Sequence, residues 1–191
     1  KQARPARPEA ATSDQPGRRV GKAELPAGLA ASTQWRYRAV NYELYFASSG
    51  ELARAIYGPA LFVGDINESV ALERFERGVQ GFHYGVEQLC PWLQAVLTGQ
   101  AVYRTAEENR LANWLLADGV LEVRAGKVVP GRSVKHVSGA AAGKKRTLEV
   151  NLRHERLHVL WDEDEAFRES SLIAWRALSP AEQEQARPAL S

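Results

Sequence analysis

Phe75, Val79, Phe82, Val86, Leu89, Leu93 and Val96 recur at spacings of three and four. A period near 3.6 lays such side chains along one face of a helix, and a face this apolar has to be buried. The spacing predicts one long helix, opened by Asp65 with Glu68 and kinked at Pro91, which removes a backbone donor and crowds the preceding turn. The rest of the chain can supply the partner surface. Its 191 residues, 45% hydrophobic and 25% charged, suit one packed domain and exclude a disordered, collagen-like or coiled-coil chain. No apolar run approaches 18 residues, so no membrane span is expected.

Turn and cap signals divide the remainder. WRYRAVNYELYF, from Trp35 to Phe46, alternates polar and apolar residues as a half-buried strand does. Ser48 with Glu51 opens a short helix, Gly50 to Tyr57, that Gly58-Pro59 stops. Thr105 with Glu108 caps another through Leu116, ended by Asp118-Gly119. Val120 to Val123 and Val128-Val129, joined by Arg124-Ala125-Gly126-Lys127, read as a β-hairpin. Residues 130–146, rich in Gly, Ser, Ala and Lys, read as a loop, and Thr147 to Val150 as a short strand. Asn151 is expected to cap a helix from Leu152 to Trp161. The DEDE run starts another through Leu178, and Ser179-Pro180-Ala181-Glu182 opens a last one. The expected fold class is α+β: a mostly helical single domain with a small β-sheet or hairpin, residues 31–191, behind a flexible Ala/Pro/Arg-rich arm, residues 1–30.

Charge is segregated. Residues 1–22 carry six Lys or Arg against Glu9 and Asp14, so the formal +2 of the whole chain leaves −2 for everything after them. A second basic block, Arg124 to Arg146, holds seven positive residues and no acid, and nine acids face five Arg from Glu149 onward. No nucleic-acid partner is expected, because the domain outside the arm is net negative and its basic block has no interleaved aromatics to stack on bases, and a nucleic-acid binder stands only as a third reading. The chain begins at Lys1 and has no Met, so it is read as a processed or truncated product. An arm of this composition commonly follows an export signal, which predicts a periplasmic or secreted bacterial protein. The single Cys90 allows neither an internal disulfide nor a multi-cysteine zinc site, so any metal must be held by His and carboxylates.

Residues 154–158 read His-Glu-Arg-Leu-His on a segment expected to be helical. Side chains four apart share a helix face, so two imidazoles can converge on one ion while the neighbouring Glu points toward water on that ion. The motif resembles the active-site helix of the zincin superfamily of zinc metallopeptidases, gluzincin-like rather than metzincin, over about a tenth of the chain. The resemblance implies that His154 and His158 ligate Zn²⁺ and that Glu155 is the general base. Bound zinc would lower the pKa of its water from 15.7 toward about 7, Glu155 would take the proton, and hydroxide would attack a metal-polarised carbonyl. Glu155 would then pass the proton to the leaving amine, and the substrate would be a peptide or protein. Arg153 and Arg156 depart from the uncharged residues usual beside and between the family's histidines.

A catalytic zinc needs three protein ligands and an open position. Asp164 follows His158 by six, the metzincin spacing, but Trp161 stands where that branch has Gly, and the Met-turn has no Met. The gluzincin branch takes a Glu from a later helix, which makes Glu169 the expected third ligand, with Asp164, Glu182 and Glu184 as alternatives. His136, Tyr103 and Tyr84 are candidates for steadying an oxyanion. His83, four before Glu87, reads as a partly buried, hydrogen-bonded residue of the long helix. The rival reading is a non-catalytic protein-interaction module, its acidic C-terminal helices and basic arm holding a protein partner.

Overall fold

The computed structural model describes residues 39–131, 134–141 and 148–190. Strands β1 (Asn41–Phe46), β2 (Gly81–Gly85) and β5 (His136–Ala141) form a sheet in the order β1-β5-β2, with β5 parallel to β1 and antiparallel to β2. Strands β3 (Leu121–Arg124) and β4 (Lys127–Pro130) pair as a separate hairpin. The helices are α1 (Ser49–Val63), α2 (Leu72–Gly78), α3 (Val86–Leu97), α4 (Ala106–Ala117), α5 (Leu148–Glu163), α6 (Glu165–Ala177) and α7 (Pro180–Leu190). This is an α+β domain, mostly helical, as its composition and patterning imply. Among the described residues no helix is long and apolar enough to cross a membrane.

The sheet is covered on both faces. Strand residues alternate sides, so Leu44, Phe46, Phe82, Tyr84 and Val137 share one face, where they join the main core with Leu52 and Ile56 of α1, Leu89 and Leu93 of α3, and Leu111 and Leu115 of α4. The registers Asn41↔His136 and Gly85↔His136 put Asn41, Glu43, Tyr45, His136, Ser138, Ala140, Gly81, His83 and Gly85 on the other face. Helix α5 packs there, with Leu152 against Ala140. Arg156 donates to both oxygens of Glu43 at 2.8 Å, clamping the helix to β1.

The single long helix expected from Phe75 to Val96 is instead α2, β2 and α3. Gly78, Gly81 and Gly85 lower helix propensity across the middle, and there the side chains follow a period of two, with Phe82 and Tyr84 in the core and His83 on the opposite face. Asp65 and Glu68 open no helix; residues 64–71 are turn and bend up to the start of α2. Pro91 lies inside α3.

Four other expectations are corrected. Helix α1 does not stop at Gly58-Pro59 but runs to Val63, ended by Gly64 at φ 85°, because Ile56, Gly58, Pro59 and Ala60 are buried and packing outweighs the lost donor. Residues 136–141 are not loop but the central strand β5. Flanked by two strands and covered on both faces, it is buried at all six positions, so the alternation that betrays a strand is missing. Residues 148–150 belong to α5 rather than to a strand. Asn151 does not cap that helix but sits inside it, its side-chain amide donating to Ala141 O at 2.7 Å.

The Ser48 and Thr105 caps, the hairpin, the start of α6 within the DEDE run and the Ser179–Glu182 start of α7 stand where the sequence put them, with Asp164 as the cap of α6. The N-terminal arm, residues 35–38, Lys144 to Arg146 and Thr147 lie outside the described residues.

The close packing of β5 is testable. A Cβ on Gly139 would stand 2.5 Å from Phe82 Cε1 and 3.0 Å from Phe46 Cε2. Gly139→Ala is expected to lower stability by about 1–3 kcal/mol, read as a lower urea midpoint at unchanged slope.

Candidate metal centre

Helix α5 presents His154, His158 and Asp162 at successive spacings of four, one stripe along its side. The sheet supplies the other half. His83 leaves the middle of β2, and His136 is the first residue of β5, where its own N–H donates to Val40 O at 3.0 Å while Val86 N–H donates to Lys135 O at 2.8 Å. The chain's four histidines thus form a row. Ring centroids are 5.2 Å apart for His154 and His158, 5.6 Å for His158 and His83, and 5.0 Å for His83 and His136; the last two pairs are stacked.

At one end of the row the donor atoms converge. His83 Nε2 and His136 Nδ1 are 3.0 Å apart, and each lies 3.8 Å from Asp162 Oδ2. The point equidistant from the corners of that triangle is about 2.1 Å from each, inside the Zn–N and Zn–O range of about 2.0–2.2 Å. The ring edge of His136 that faces away, Nε2, is 3.0 Å from Glu163 Oε1, and the other Glu163 oxygen accepts from Lys135 Nζ at 2.7 Å. A carboxylate behind a ligand imidazole is the usual support of a metal site: it holds the proton on Nε2, leaves the Nδ1 lone pair for the ion and fixes the ring. The donor set of two imidazoles and a half-exposed carboxylate fits zinc with a coordination position to spare.

The electrostatics agree with that donor set. Burial, followed by the neighbouring His136 and His158, pushes the His83 pKa down to about 4. Burial and His154 also lower that of His158, against the pull of Asp162. Hydrogen bonds from Lys135 and His136 hold Glu163 below the ordinary carboxylate range. A lowered pKa keeps the His83 lone pair free of a proton, as binding a divalent cation requires.

Glu155, on the same helix, points into the sheet. It is 6% exposed, its carboxyl abuts Gly81 so closely that a Cβ there would collide with it, and burial alone raises its pKa to about 7. The two charged residues of the motif have other roles. Arg156 is the clamp to Glu43, and exposed Arg153 pairs with Glu149 at 2.5 Å.

Other residues singled out in the sequence lie elsewhere. Glu169 is exposed on α6, Asp164 accepts from Phe167 N–H as the cap of α6, and Glu182 closes the cap of α7; none is among the converging donors. Tyr103 packs edge-on to Trp92 with centroids 6.4 Å apart, and Tyr84 is buried in the main core. His136 is a buried strand residue rather than part of a mobile basic loop, and His83 and Glu87 are divided between β2 and α3. Sequence reasoning missed His83, His136 and Asp162 as a set. Asp162 was findable as the next step of four after His158; the two strand histidines were not. No family model, curated protein or solved structure matches this chain.

Two outcomes follow. Glu163→Gln should weaken zinc binding about 10–100-fold, measured by competition with a chromophoric chelator. Because the folded pKa of His83 lies below the unfolded value near 6.5, the unfolded chain binds more protons between pH 6.5 and 4. Metal-free protein should therefore lose stability as pH falls through that window, and His83→Phe should flatten the slope.

Proposed function

We propose that this protein is a zinc-dependent hydrolase of peptide bonds, with the ion held by His83 Nε2, His136 Nδ1 and Asp162 Oδ2. The observation that carries the reading is the triangle of those three atoms, backed by Glu163 on the far edge of His136. Zinc bound there would act as a Lewis acid on a carbonyl and lower the pKa of its water. The chain's own part is to keep three donors fixed and to hold the His83 imidazole neutral. A proton acceptor with a pKa brought to about 7 by burial is offered by Glu155, which lies about two helical turns from Asp162 and beside His154, so it suits that role for an ion held at the helix pair, His154 and His158.

A polypeptide substrate is supported by the edge of the sheet. Among the described residues β2 pairs with β5 alone, so the strand that bears His83 has a second edge available for an extended peptide. A peptide added along that edge would pass the histidine row.

A second placement of the ion, between His154 and His158 beside Glu155, is favoured by one observation: the two rings lie at 5.2 Å on a single face of α5, at 80° to each other. Both placements give a zinc hydrolase, and single substitutions separate them. The triangle predicts one zinc per chain, lost in His83→Ala and Asp162→Ala and retained in His154→Ala, by metal analysis of dialysed protein. Loss of zinc in His154→Ala with retention in His83→Ala would move the ion to the helix pair. A metal-free wild type would leave the interaction module as the better reading.

Glu155→Gln separates chemistry from binding. With the ion at the helix pair it should keep zinc and lower peptide hydrolysis about 10²–10⁴-fold. The folded pKa of Glu155 lies above the ordinary carboxylate value of 4.5, so its burial costs stability that accrues as pH rises from 4.5 to about 7 and is fully present above it. The same variant should therefore melt higher than wild type at pH 8 in the metal-free state.

A further inference from the structure

We propose that the cavity between α1, α3 and the first turn of α4 binds a free α-amino acid with an apolar side chain, its ammonium on Glu108 and its carboxylate on Arg104. The cavity encloses about 330 Å³, and its lining includes Gly58, Phe62, Trp92, Val102, Arg104 and Glu108. Its helices pack on the sheet face opposite α5, so the site is separate from the histidine row and does not rest on the metallopeptidase reading.

A buried carboxylate carries the inference. Glu108 is 1% exposed, and burial pushes its pKa up. Its Oε1 accepts from the Trp92 indole N–H at 3.1 Å and its Oε2 from the Arg104 backbone N–H at 2.6 Å. Both donors are neutral, and among the described residues no Lys or Arg side chain forms an ion pair with this carboxylate. A carboxylate offers about four acceptor positions, so each oxygen can take a further donor. Buried charges are ordinarily paired, which makes a cation the natural complement of this one, and the cavity gives it access. Helix α1 is shaped to fit: a Cβ on Gly58 would collide with Glu108 Oε1, so glycine is what admits the carboxyl at the cavity wall.

The other walls select the cation. A single carboxylate is too few ligands for a metal ion, whereas Phe62 and Val102, both exposed, and Trp92 beneath them suit a hydrocarbon body. Arg104, also exposed and in no ion pair among the described residues, would repel a simple amine but attract one that carries a carboxylate as well. The volume lies at the small end of ligand pockets, about 300–1,000 Å³, the scale of one amino acid rather than of a folded partner.

The test is calorimetry on the full chain with L-leucine, with isocaproate, which lacks the ammonium of leucine, and with isoamylamine, which lacks its carboxylate. Leucine should bind tightest. Isocaproate should be about 10–100-fold weaker, having lost a charge-assisted hydrogen bond to a buried group. Isoamylamine should be about 2–5-fold weaker, having lost a pair with an exposed one. Glu108→Gln should bring leucine down to the level of isocaproate. Should that variant fail to fold, Arg104→Gln still decides: it should cost leucine about 2–5-fold without weakening isoamylamine. Isocaproate binding as tightly as leucine, or leucine affinity unchanged in Arg104→Gln, overturns the proposal. So does wild-type protein that binds no leucine, which would leave Glu108 as a tie between α3 and α4 and nothing more.

Discussion

Imidazoles stacked a few ångströms apart and shielded from water cannot take up protons freely, because each new charge would face its neighbour across a medium that screens poorly. His83, partly buried and stacked against both His136 and His158, is under that constraint. The chain meets it by lowering the pKa of His83 and of His158, and it sets the carboxylates of Asp162 and Glu163 at one end of the histidine row. A cluster rich in lone pairs, poor in protons and flanked by anions has a divalent cation as its natural complement. The proposed function, the depressed His83 pKa and the role of Glu163 follow from it.

The row exists because a helix is laid across a sheet in one register. Small residues on β5 and β2 let α5 approach closely: Leu152 rests on Ala140, and the Glu155 carboxyl fills the space that a side chain on Gly81 would need. The Arg156–Glu43 pair then stops the helix sliding along the strands. Its side chains are only 10% and 14% exposed, and removing either partner alone would strand a charge in the interior. Arg156, which set the motif apart from its nearest resemblance, is thus the residue that positions it. Glu155 is the costly element, a carboxyl held in a dry site at some expense in stability, a common arrangement where a group is tuned for proton transfer.

What the sequence revealed followed the reach of local patterns. A spacing of four on one helix showed His154 and His158 as a pair, and the same spacing reached Asp162. Caps were legible because Ser48, Thr105 and Asp164 bond within three residues of themselves. The strand half of the centre was hidden for two reasons. Phe82 in β2 and Val86 at the start of α3 also satisfy a helical period, which puts His83 on a long helix that does not form. In β5 the run His-Val-Ser-Gly-Ala-Ala has turn-like composition, and only its burial between two neighbours makes it a strand. Donors brought together by pairing 53 residues apart, as His83 and His136 are, leave no mark in either local sequence.

The most direct measurement is an anomalous difference map at the zinc edge from crystals of the zinc-loaded protein. The account predicts one peak about 2.1 Å from each of His83 Nε2, His136 Nδ1 and Asp162 Oδ2. A peak lying instead between the imidazoles of His154 and His158, with those three atoms uncoordinated, would contradict it.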